Sequence, residues 1–139
     1  MPEPLRSLLG FDYGSKNIGV AVGQTLTLSA SPLCILRNIK SKPDWQAIDQ
    51  LISEWQPDAL IVGDPLEMGG AETHATAGAR KFARQIEARY QKPVFLADER
   101  LTSRTARLDN PHKQAADIDD LAAKLILETW LSEYKTHAH

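Results

Sequence analysis

Apolar residues fall along this chain in short runs that alternate with helically spaced stripes. Leu8-Leu9-Gly10-Phe11-Asp12 is an apolar run stopped by Gly14, the pattern of a strand covered on both faces. Ile18-Gly19-Val20-Ala21-Val22-Gly23 follows after a loop too short for a crossover, so the first two strands are expected to pair antiparallel. Leu33-Cys34-Ile35-Leu36 predicts a third strand. Pro43-Asp44-Trp45 then opens a helix with Trp45, Ile48, Leu51, Ile52 and Trp55 at helical spacing, and Pro57-Asp58 stops it. Ala59-Leu60-Ile61-Val62-Gly63 reads as a buried strand reached by a parallel crossover. A loop rich in glycine leads to a long helix on Ala79, Phe82, Ala83, Ile86 and Tyr90, and Pro93-Val94-Phe95-Leu96-Ala97 is a second parallel strand. A final helix starts near Asp117, with Ile118, Leu121, Ala122, Leu125, Ile126 and Trp130 on one face.

This order predicts an α/β fold: a mixed five-stranded sheet, with a three-strand antiparallel meander and two parallel crossover strands, flanked by helices. No repeat, low-complexity block or Gly/Ser linker divides the chain, so residues 1–139 are expected to form a single domain. A chain of this length buries roughly 68% of its unfolded surface and needs no staple. Cys34 is the one cysteine, which excludes a disulfide scaffold and leaves no partner for a zinc knuckle. Met1-Pro2-Glu3-Pro4-Leu5-Arg6 lacks the features of a signal peptide. The charge-free stretch Asn17–Leu36 has the length of a membrane span, but Gln24, Thr25, Thr27, Ser29, Ser31 and Pro32 make it two strands and a turn. The expectation is a soluble, cytoplasmic protein with no membrane contact.

The net charge of −2 conceals an asymmetry. Between Arg80 and Lys113 the nine Lys/Arg residues outnumber four acids, while the remainder of the chain is acidic. A local basic region can bind phosphate despite a near-neutral total, because screening weakens distant charges. It can equally be a solvated helix face.

Three carboxylates are candidates to meet. Asp12 ends the first buried strand, Asp98 and Glu99 end the strand Val94–Ala97, and Asp119 stands in the first turn of the final helix. Parallel strands place their carboxyl ends on one sheet edge, where open α/β sheets bind ligands. Acids gathered so closely repel one another unless they share a hard divalent cation such as Mg²⁺. Two such ions about 4 Å apart suit phosphodiester hydrolysis. Each acid also has a plain structural use: Asp12 in the turn, Glu99 paired with Arg100 or Arg104, Asp119 at a helix N-terminus. His74, His112, His137 and His139 have no zinc spacing. The loop Asp12-Tyr13-Gly14-Ser15-Lys16-Asn17-Ile18-Gly19 offers backbone N–H groups, a hydroxyl and a cation to phosphate, or else forms an ordinary hairpin turn. Gly63-Asp64-Pro65-Leu66-Glu67-Met68-Gly69-Gly70 either lines the same edge or merely connects two elements. Trp45, Trp55 and Trp130 lie on apolar helical faces and are expected in the core rather than under bases.

Phe11-Asp12-Tyr13-Gly14-Ser15-Lys16-Asn17-Ile18-Gly19-Val20-Ala21, Ile61-Val62-Gly63-Asp64-Pro65-Leu66, Asp98-Glu99-Arg100-Leu101-Thr102-Ser103, and Asp119 ahead of Ile126-Leu127-Glu128 resemble the YqgF family. That family comprises bacterial pre-16S rRNA nucleases, formerly also called Holliday junction resolvases. The resemblance runs from about Leu8 to Trp130 and implies an RNase H-like fold, a cytoplasmic role in maturing the 5′ end of 16S rRNA, and a divalent-metal site for Mg²⁺ or Mn²⁺. Carried over by position, the catalytic and metal-binding acids are Asp12, Glu99 and Asp119. The chain departs from the family in two places. The connector Asp109–Ala116 is shorter than the family's usual one with its glycines and lysines, and Ala-Asp-Ile stands before Asp119 where a lysine is common; Asp64 occupies a place usually taken by an apolar residue.

The leading expectation is a metal-dependent nuclease acting on RNA, with pre-rRNA and ribosomal particles as partners. Lys16 and Arg100 are expected to hold flanking phosphates, and Arg80 and Arg84 to extend the track. One alternative is a resolvase of DNA junctions, which favours a homodimer over a monomer. The other is a non-catalytic assembly factor that binds RNA or ribosomal protein. An actin-like ATPase is excluded, since it needs two such domains.

Overall fold

A computed structural model describes residues 7–67, 69–99 and 115–137, with the side chains of 121–134 in the last segment. The strands are β1 (Ser7–Tyr13), β2 (Asn17–Gln24), β3 (Ser29–Arg37), β4 (Ala59–Asp64) and β5 (Val94–Asp98). The helices are α1 (Trp45–Trp55), α2 (His74–Tyr90) and α3 (Ala115–His137). The strands form one sheet in the order β3-β2-β1-β4-β5. β1 and β2 pair antiparallel, as do β2 and β3; β1–β4 and β4–β5 are parallel. The expected α/β sheet is therefore the observed one.

β3 is longer than its apolar run suggests because its outer residues pair with β2 while facing solvent. Pro32 lies in this edge strand at a register shift opposite Val20 and Ala21, where the missing N–H does least harm. Helix ends follow local chemistry. Asp44 caps α1 by accepting from the Ala47 N–H, and Thr73 with Thr76 forms a reciprocal capping box on α2.

Strand alternation divides the core in two. Leu9, Phe11, Ile18, Val20, Leu60 and Val62 face α1 and α2, where Ile48, Phe82 and Ile86 cover them. Leu8, Ala21, Ala59, Ile61 and Ala97 face α3, under Ala123, Ile126, Leu127 and Leu131. The second face mixes alanines and glycines among its larger residues so that α3 can lie close. A Cβ on Gly10 would come within 2.5 Å of Leu127 Cγ, and one on Gly63 within 2.5 Å of Ile126 Cδ1.

The tryptophans divide differently from the expectation. Trp45 is half-buried against Phe82 and Trp130 against Phe95, but Trp55 is exposed. It occupies the last turn of α1, where the chain turns through a left-handed Gln56 towards β4.

Candidate active site

All three strands that carry the predicted motifs run parallel, so β1, β4 and β5 deliver their carboxyl ends to one edge of the sheet. Within β1, Leu8, Gly10 and Asp12 alternate onto the α3 face. Glu99 follows β5 directly and is folded back over β4: a Cβ at Gly63 would stand 2.7 Å from Glu99 Cδ and 2.8 Å from its Cγ. Gly63 is thus the place where the backbone must leave room for a carboxylate.

Glu99 is only 6% exposed, and its carboxyl is pushed up to about 9. Burial is the main cause; the charge of Asp12 and a hydrogen bond with Asp12 add to it, followed by the charges of Asp64 and Asp98. Asp12 and Glu99, remote in sequence, are therefore brought together as a proton-sharing pair. Carboxyl oxygens alone make up this pair, and they suit a hard oxygen-seeking divalent cation, whose charge would replace the shared proton and relieve the repulsion. The donor set fits such an ion. The backbone of Asp119 lies in α3, one turn before Ala123, which packs on the same sheet face; its side chain lies outside the described residues. Arg100 also lies outside them.

Asp64 leaves the last position of β4 on the opposite face. It is buried, and Arg80 of α2 grips it with two bonds of 2.9 Å, Nε to Oδ1 and Nη2 to Oδ2. The remaining arm, Nη1, reaches Glu72 at 2.6 Å. The guanidinium of Arg80, a residue expected on a phosphate track, holds two carboxylates and fastens the loop after β4. Thr76 assists by donating its hydroxyl to the Pro65 carbonyl. Sequence reasoning missed this strap, whose signal was the unexpected Asp64 followed 16 residues later by an arginine. Arg84 is exposed on the same helix, and Lys16 is exposed in the β1–β2 turn.

A mixed sheet whose edge gathers buried acids, with helices on both faces, is the RNase H-like class of nuclease fold. Solved structures agree. Thermus thermophilus RuvC in complex with a Holliday junction substrate matches with a TM-score of 0.59 at 13% identity, covering 95% of this chain and 97% of that one. The fowlpox virus resolvase with its junction DNA matches at 0.56 and 12% identity, covering 91% and 97%. At sequence level, residues 6–133 match the family model RuvX, described as Holliday junction resolvase. Proteins of Pseudomonas aeruginosa and Azotobacter vinelandii, each named "Putative pre-16S rRNA nuclease", are 46% and 45% identical, covering 95% and 92% of this chain and 96% and 94% of theirs. The chain belongs to the RuvX (YqgF) family of nucleases.

Proposed function

We propose that this nuclease hydrolyses RNA phosphodiester bonds with the aid of Mg²⁺ or Mn²⁺, in maturation of the 5′ end of pre-16S rRNA in the cytoplasm. The observation that carries the reading is the carboxyl pair of half-buried Asp12 and buried Glu99 at the carboxyl edge of the sheet. Asp12, Glu99 and Asp119 would hold the cation. When bound, it would activate a water and offset the charge that develops on the phosphate oxygens.

The protein's own groups do the rest. Asp12 sits on a central strand of the sheet, paired with Gly19 of β2 and directly after Phe11, which pairs with β4, so its position is set by the sheet rather than by a loop. Glu99 lies against Gly63, and its burial keeps water from most of its surface. Lys16 and Arg100 hold phosphates next to the one attacked, and Arg84 adds sequence-blind attraction that weakens with salt. The names of the 45–46% identical relatives support RNA as substrate. The family model's description favours a DNA junction as the competing substrate.

One comparison tests both. Wild type and Asp12→Asn are incubated with a labelled pre-16S leader RNA and a DNA four-way junction, with and without Mn²⁺. Metal-dependent RNA cleavage that falls at least 100-fold in the variant, with RNA binding retained, is the expected result; the loss follows from removing a group that acts in the transition state. Equal cleavage by both proteins overturns the assignment of Asp12, and cleavage of the junction alone transfers the activity to DNA.

A further inference from the structure

The same sheet edge continues past β1 to β2 and β3, and there the chemistry changes sign. Between Asp12 and Asp44 the sequence contains no acid, and its cations are Lys16, Arg37, Lys40 and Lys42. The fold draws the two ends of this segment together. Asn38 donates its backbone N–H to the Lys16 carbonyl at 2.8 Å, and its side-chain Nδ2 donates to the carbonyls of Gly14 and Ser15 at 2.8 and 2.9 Å. The result is a cleft of about 340 Å³ lined by Ser15, Lys16, Asn17, Arg37, Asn38 and Ser41.

Two unfavourable features converge on its wall. Ile39 and Lys42 exchange backbone hydrogen bonds around a two-residue turn, which forces Lys40 and Ser41 to φ values of 52° and 64°. Neither is the glycine or asparagine that such a turn prefers. Asn38 Oδ1 is buried with no hydrogen-bond partner among the described residues. Strain of this kind persists where the surroundings impose it, and it collects at ligand-binding positions. Here it carries Ser41 to the rim of a cleft that already holds two cations.

We infer that this cleft is a phosphate subsite for the backbone of single-stranded RNA, with Arg37 as its principal cation and Lys16 and Ser41 as partners. The inference rests on the nuclease reading and adds a second anchor to it. β3 lies two strand spacings from β1, about 10 Å, so the subsite receives a phosphate of the same strand near the one at Asp12. Arg37 supplies charge and a planar set of donors, the Ser41 hydroxyl donates to a second oxygen, and among the described residues no carboxylate lines the cleft to compete.

The test is binding of a fluorescein-labelled 12-nucleotide single-stranded RNA in EDTA, titrated at several salt concentrations, for wild type, Arg37→Gln and the control Lys92→Gln at the opposite sheet edge. Arg37 is exposed, so thermal melts of Arg37→Gln should match wild type. The expected result is about tenfold weaker binding by Arg37→Gln, and a log–log salt slope shallower by about 0.7, one phosphate's share for a single strand. Lys92→Gln should leave both unchanged. Wild-type affinity and slope in Arg37→Gln, while Asp12→Asn still abolishes wild-type cleavage, overturn the subsite and leave the nuclease intact. Failure of the underlying reading is distinguishable, because wild type itself would then neither bind nor cut RNA.

Discussion

Single side chains in this protein are set by what lies against them more than by their own chemistry. Glu99 and Asp49 are both acids near an edge of the fold, and they are driven in opposite directions. Glu99 is pushed up by burial and by Asp12, whereas Asp49 is lowered to about 2 by hydrogen bonds from Arg89 and Tyr90. Arg89 makes two bonds of 2.8 Å to Asp49 and lies 5.0 Å above the Trp45 ring, so the cluster ties α2 to α1. A carboxyl lowered on folding stabilises the folded state above its unfolded value of 3.8, and that contribution disappears as pH falls through about 2. Asp49→Asn should therefore melt at a lower temperature than wild type at pH 7, by a small amount because both partners are nearly half exposed. The difference should close between pH 4 and pH 2, as followed by circular dichroism melts. A gap that stays constant to pH 2 would show that the pair does not titrate as the geometry requires.

At the scale of elements, the active-site edge depends on how closely α3 and the segment after β5 approach β4. Gly63 controls both. An added Cβ would stand 2.5 Å from Ile126 and 2.7 Å from Glu99, closer than atoms tolerate. Gly63→Ala should cost about 1–3 kcal/mol of stability by overpacking. It should lower cleavage more than it lowers RNA binding, since the displaced group is Glu99. Urea denaturation with parallel binding and cleavage assays would check this, and unaltered cleavage would mean that Glu99 need not lie where it does. The motif Ile61-Val62-Gly63-Asp64-Pro65-Leu66 was recognisable in sequence, but the reason for its glycine was not. A strand glycine commonly marks a bulge or a close approach, and only the packed neighbours distinguish them.

For the whole molecule, the α1/α2 side of the sheet is organised around Phe82. It is 1% exposed and touches the rings of Phe11, Tyr13 and Trp45, with centroids 5.5, 5.1 and 6.0 Å away. Three elements meet in that one side chain: α2 itself, α1, and β1 at the centre of the sheet through two residues. Phe82→Ala should destabilise the protein by about 3–5 kcal/mol in chemical denaturation. A loss below about 1 kcal/mol would mean that the cavity collapses and the ring cluster is not the keystone of that layer. The opposite layer, with alanines and glycines beneath α3, keeps Glu99 close to β4, so the two cores divide the tasks of stability and site geometry.

How much of this was legible in the chain depends on the range of the interaction concerned. The apolar period named every strand and helix that the structure describes, because alternation and helical stripes are local consequences of burial. The turn after Asp12 and the crossover lengths settled the antiparallel and parallel halves, since a chain of given length can return only so far. Asp12 and Glu99 were identifiable as residue types at strand ends. Their pairing, however, follows from strand order, which no local pattern contains. The ion pairs of Arg80 were illegible for the same reason: a helical cation looks solvent-ready until the fold delivers Asp64 and Glu72 to it. Lys16 was singled out as a phosphate contact, but Arg37, Lys40 and Lys42 were not joined to it, because residues 16 and 37 become neighbours only when β2 and β3 fold back as a hairpin. Sequence by itself determined the elements and the chemical vocabulary of the site. Tertiary structure alone decided which charges face each other, because the energy of a charge depends on distances that the fold sets across tens of residues.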